Sequence, residues 1–64
     1  MKVPGVLEGQ PATIEYNTNG FEFYRIVVHI AYTTFQWDEL SPMQQVSILQ
    51  QLENAFPRAE QNYN

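Results

Sequence analysis

The side chains best suited to acid–base, nucleophilic or metal chemistry are one histidine, His29, two serines, Ser41 and Ser47, and seven scattered acids; there is no cysteine. As a metal ligand His29 needs two or three companions, and no carboxylate or second imidazole lies near it in sequence. As a general base it needs a nucleophile and an orienting group. Ser41 is better explained as a helix cap, and Ser47 falls inside the same helix, facing water or bonding back to a carbonyl. No Gly-rich phosphate loop or paired-carboxylate motif is present, and Asp38-Glu39 precede a helix start, where negative charge is favourable. The residues therefore argue against an enzyme and imply no cofactor or metal. His29 reads as a structural or interface residue.

The elements that position these side chains follow from periodicity. Residues 1–11 hold Pro4, Gly5, Gly9 and Pro11, which discourage long regular structure. They read as an arm, with a short edge strand at Val6-Leu7-Glu8 as the alternative. From Ala12 to Tyr16 the chain alternates, with Ala12, Ile14 and Tyr16 on one face. Phe21 to Thr34 is rich in aromatic and β-branched residues, as one long strand would be. Its even positions, Tyr24, Ile26, Val28, Ile30 and Tyr32, form an unbroken apolar row and are expected to face the core. The odd row, Phe23, Arg25, Val27, His29 and Ala31, is mixed.

Asn19-Gly20 is a strong hairpin signal, yet a two-residue loop there would join the core row of one strand to the mixed row of the next. A three-residue loop, Thr18-Asn19-Gly20, pairs Asn17 with Phe21 and Ile14 with Tyr24, so that even positions share a face. It places Gly20 in the left-handed region, which glycine tolerates. The odd-length loop is the expectation.

Thr34 to Leu40 connects strand to helix, with room for one helical turn capped by Thr33 or Thr34. Ser41-Pro42-Met43-Gln44 then starts a helix: Ser41 caps, Pro42 takes the first helical position, and Gln44 closes a capping box. The helix is expected over 41–56, because Pro57 disfavours helical geometry just before it. Val46, Leu49, Leu52 and Phe56 make its apolar stripe, widened by Met43, Ile48 and Ala55, while Gln44, Gln45, Gln50 and Gln51 point outward. Residues 57–64 read as a frayed tail. The architecture is a small two-layer α+β domain: a β-hairpin over 12–34 with one C-terminal helix on its even face, the whole of 1–64 being a single domain.

The 64 residues carry a formal charge of −4. Lys2, Arg25 and Arg58 cannot neutralise a row of phosphates, so nucleic acid is excluded as a partner, and anionic membranes with it. The longest apolar stretch, 26–32, is far short of a bilayer span. No secretory signal is evident, and cysteine-free composition fits cytoplasm, or the host cytoplasm if the chain is viral.

Two features point to a protein partner. The second strand is much longer than the first, so Val28 to Thr34 lacks an evident partner other than the arm. An unpaired flat edge invites pairing with a second copy of the chain. Phe21, Phe23, Val27 and Ala31 share the odd face, and Phe35 and Trp37 continue its parity. One helix cannot cover both faces, and contiguous apolar patches mark interfaces. The expected interface comprises Phe21, Phe23, Arg25, Val27, His29, Tyr32, Phe35 and Trp37. The function expected is that of a small acidic interaction module, a homodimer through the long strand, that regulates or inhibits another protein, of the kind phages and mobile elements encode. A structural or accessory subunit of a virion or multisubunit complex is the alternative.

Overall fold

The computed structural model describes residues 1–55. Four strands, β1 (Lys2–Leu7), β2 (Gln10–Thr18), β3 (Phe23–Ile30) and β4 (Thr33–Gln36), form an antiparallel sheet in the order β1-β2-β3-β4. A 3-10 turn, Trp37–Glu39, leads to helix α1 (Pro42–Ala55), which packs on one sheet face. This is the expected small α+β domain. Phe56, the expected end of the helix, and the tail at 57–64 lie outside the described residues. Among the described residues, no helix is long and apolar enough to cross a membrane.

The expected N-terminal arm is instead a full edge strand, paired with β2 from Lys2↔Glu15 to Leu7↔Gln10. Glu8 and Gly9 both have positive φ, 53° and 77°, which is the requirement of a two-residue type I′ hairpin turn. Ladder phase explains why Pro4 does no harm. Met1 and Tyr16 exchange backbone bonds, each 2.8 Å long, so Val3, Gly5 and Leu7 face β2 while Lys2, Pro4 and Val6 turn to the free edge. Pro4 therefore lacks a donor only where no ladder bond is made.

The expected long strand is broken. The chain reverses at Ala31-Tyr32, with Ala31 at φ 51°, and β4 returns along β3 from Ile30↔Thr33 to Val27↔Gln36. The unpaired edge on which pairing with a second copy was expected is thus largely occupied by the chain itself. Reversal brings Phe35 opposite Val28 on the helix side, where Phe35 and Trp37 pack against the buried cluster. That burial outweighs the absence of any Gly, Asn or Pro at the turn.

The loop between β2 and β3 has four residues, Asn19–Glu22, closing on Thr18↔Phe23, not the expected three. Asn19 is no hairpin-centre residue: its Oδ1 accepts from the N–H of Phe21 and of Glu22, both at 2.9 Å, and Gly20 has φ 96°. An even-length loop should have put the wrong faces together. A β-bulge corrects it. Pairing runs Asn17↔Tyr24 and then Glu15↔Val27, so Tyr16 faces both Arg25 and Ile26, and Arg25 is the extra residue, at φ 55°. Before the bulge the core side of β3 is odd, with Phe23 edge-on to Tyr16 at 5.5 Å; after it, Ile26 and Val28 are buried. The expected core of Ala12, Ile14, Tyr16, Ile26 and Val28 is found, but Tyr24 is half-exposed and Tyr32 fully so.

Helix α1 starts as expected. The Ser41 N–H donates to Gln44 Oε1 at 2.8 Å, and the Gln44 N–H donates to Ser41 Oγ at 3.2 Å. Its buried face is rotated from the expected one. Ile48 and Leu52 are fully buried, Leu49 flanks them, and Val46 and Met43 are exposed. Amides expected to face water tie the helix to β1, to the β1–β2 turn and to the 3-10 turn. Gln45 Nε2 donates to the Trp37 carbonyl at 3.0 Å and Gln44 Nε2 to Glu8 at 2.9 Å. Gln51 both accepts from the Val6 N–H and donates to the Val6 carbonyl, at 2.7 Å each. Four polar anchors over so short a helix fix its rotation as firmly as the apolar stripe does. Satisfying β1's edge in this way counts for more than turning Val46 inward.

Candidate functional site

The bulge opens a groove. β4 stops at Gln36 opposite Val27, so the strand segment Phe23–Ile26 runs on with no fifth strand beside it. The 3-10 turn and the middle of α1 rise on the other side. The Gln36 N–H donates to Glu39 Oε1 at 2.7 Å, which bends the chain away from the sheet and holds the turn in place. Between these walls lies a cleft of about 740 Å³, with Phe23, Ile26, Trp37 and Leu49 as its apolar lining and Tyr24, Arg25 and Asp38 at its polar margin. Volumes of this order accommodate small-molecule or side-chain ligands.

Arg25 is the distinctive residue of this cleft. Its left-handed backbone would suit glycine, and a bulky side chain there costs of order 1–2 kcal/mol. Its side chain is exposed at the cleft, and Arg25 makes no ion pair with any described residue. Strained conformations held in place by their surroundings collect at functional sites.

No family model, characterised protein or solved structure matches this chain.

The eight residues expected to form one interface are divided by the fold. Phe23, Phe35 and Trp37 lie on the helix side, partly buried against the core, because the bulge and the β3–β4 reversal each change their parity. Phe21 is 68% exposed in the β2–β3 loop, and Tyr32 projects from the β3–β4 turn. Only Val27 and His29 occupy the face away from the helix. That face is polar: ladder rows Lys2·Glu15·Val27·Gln36 and Pro4·Thr13·His29·Thr34 cross the sheet. The expected aromatic surface opposite the helix does not exist. Phe23, Arg25 and Trp37 meet instead at the groove, which Val27 borders from the strand.

On the polar face His29 has the companions its sequence neighbourhood lacks. Its Nε2 lies 2.9 Å from Glu15 Oε1 and its Nδ1 lies 3.0 Å from Thr34 Oγ1. Hydrogen bonding from His29 holds the Glu15 carboxyl below its usual range; partial burial opposes this, and the Lys2, His29 and N-terminal charges add to it. Glu15 and Thr34 were missed because they lie fourteen and five residues away and meet His29 only through strand pairing. Tyr24, Asp38 and Leu49 were missed because the groove depends on the bulge, which no residue type in the sequence announces. A clue did exist: an even loop can be reconciled with the two apolar rows only by an extra residue.

Proposed function

We propose that the chain is a protein-interaction module that regulates or inhibits another protein by docking a segment of it in the groove beside the bulge. The observation that carries this reading is Arg25: a cation held at a strained backbone position, without a described ion-pair partner, at the mouth of an aromatic cleft. The complementary segment carries a carboxylate for Arg25 next to a large apolar side chain for the Phe23–Trp37–Leu49 lining. Arginine and aromatic residues are the types that dominate binding energy at interfaces, and a charge at the rim steers encounter. In a chain of net charge −4, the one arginine among the described residues gives the groove a polarity unlike its surroundings.

Affinity capture from the native host lysate tests the reading, using wild-type protein beside Arg25→Glu and Trp37→Ala. A partner retained by the wild type and lost by both variants supports the groove. A partner retained equally by all three places the interface elsewhere. Sedimentation at micromolar concentration distinguishes a second copy as the occupant: a dimer abolished by Arg25→Glu would make the chain its own partner.

A second reading, an accessory subunit of a larger assembly, draws on a separate exposed apolar patch on the helix, Pro42, Met43 and Val46. Captured protein lost only on Met43→Glu would favour it.

A further inference from the structure

On the sheet face away from the groove, Thr34, His29 and Glu15 form a continuous hydroxyl–imidazole–carboxylate chain with links of 3.0 and 2.9 Å. We propose that Thr34 is an acyl-accepting nucleophile, with His29 as its general base and Glu15 as the positioning residue, that reacts with activated esters and thioesters.

The mechanism runs through the neutral imidazole, whose tautomer the order of the chain selects. A carboxylate can only accept, so Glu15 takes the Nε2–H of His29, and the neutral imidazole then presents Nδ1 as an acceptor. The Thr34 O–H donates to it. This is the arrangement in which an imidazole activates a hydroxyl: base in contact with the nucleophile, third group orienting the base. In the reaction Thr34 Oγ1 forms a bond to the acyl carbon and the bond from that carbon to the leaving oxygen or sulfur breaks. The hydroxyl proton passes to His29 Nδ1 and from there to the leaving group. The products are a threonyl ester and the free alcohol or thiol. Glu15 offsets the charge that the imidazolium carries in between.

Ladder phase supplies a donor for the oxyanion. Because Met1 and Tyr16 exchange bonds, Thr13 faces β3, His29 faces β2, and Thr34, opposite His29, turns its backbone N–H to the free edge of β4. The nucleophile's own N–H is thus outside the sheet's hydrogen bonding. Gln36, two residues on, shows the same outward N–H, there satisfied by Glu39. Thr34 is exposed, so an acyl donor can reach it.

The probe is p-nitrophenyl acetate, followed by intact-mass measurement and fragment mapping of the acetylated position. Thr33 is the internal control: it is exposed and adjacent, but opposite Ile30 and not His29. Thr34 is expected to be acetylated at least about a hundredfold faster than Thr33, and His29→Asn is expected to remove that advantage. Thr34→Ser should retain acetylation and Thr34→Val should abolish it at this position. For Glu15→Ala, which removes the acceptor, the imidazole 15N shifts give a readout that mere structural support would not move: the preference for Nε2–H present in wild type should disappear. Equal acetylation of Thr34 and Thr33 in the wild-type protein would overturn the proposal, and so would an unchanged rate in His29→Asn.

Discussion

Gln51 holds both backbone groups of Val6, accepting its N–H and donating to its carbonyl at 2.7 Å each. A helix side chain thereby stands in for a fifth strand at the outer edge of the sheet. At the other edge Glu39 does half the same work for Gln36. Exposed sheet edges are the usual route to unwanted strand pairing, and here amide and carboxylate side chains close part of both.

Gln51→Ala removes this cover. We expect a loss of about 1–3 kcal/mol in urea denaturation, the net worth of two typical hydrogen bonds. We also expect new concentration-dependent association in sedimentation, reversed by a charged residue at exposed Val6.

Gly5 makes the Gln51 contact possible. A Cβ at Gly5 would lie 2.6 Å from both Gln51 Oε1 and Ile14 Cδ1. Gly5→Ala should therefore displace the glutamine as well as crowd the core, costing about 1–3 kcal/mol as overpacking does. Thermal unfolding of this variant should resemble that of Gln51→Ala or fall below it.

Ile48 is fully buried between helix and sheet. Ile48→Ala should cost about 2–5 kcal/mol, against the roughly 3–5 kcal/mol that so small a core supplies. Urea denaturation followed by circular dichroism should show half or more of the stability lost.

Arg25→Gly should act in the opposite sense on fold and function. Relief of the left-handed backbone is expected to raise stability by up to about 1 kcal/mol, while any partner held in the groove is lost. A gain in urea midpoint with unchanged partner binding would detach Arg25 from the proposed function.

The acid response follows from Glu15, whose carboxyl is held below its usual range by His29. A depressed folded-state value contributes stability that is present above the unfolded value of about 4.3 and is lost as pH falls through the folded one. Glu15→Gln should flatten that part of the stability–pH profile. An identical acid limb in both proteins would show that the His29 bond does not persist in solution.

Where the sequence was legible, local chemistry and tertiary packing agreed. Ser41, Pro42 and Gln44 announced the helix start, and Ala12, Ile14, Tyr16, Ile26 and Val28 announced the core. Illegible elements were those in which one overrode the other. Ala31 turns without glycine because doing so buries Phe35 and Trp37. Pro4 sits in a strand because phase spares its missing donor, and Pro11 because β3 ends at Ile30, before Pro11 would need one. The helix stripe was read from apolar residues alone, so the amides that orient it went unweighted. Of the candidate site, Phe23, Arg25, Val27 and Trp37 were named from sequence, but for a flat face that the bulge and the reversal abolish.

The bulge has one more consequence. If Arg25 were excised, Asn17↔Tyr24 would be followed by Tyr16 opposite Ile26 and then Glu15↔Val27, a ladder without interruption and with every side chain still on its present face. Arg25 is therefore a removable link: the sheet closes without it, on the same partners and with less strain. On the function proposed above, a link that the architecture can spare is kept for contact with the docked segment.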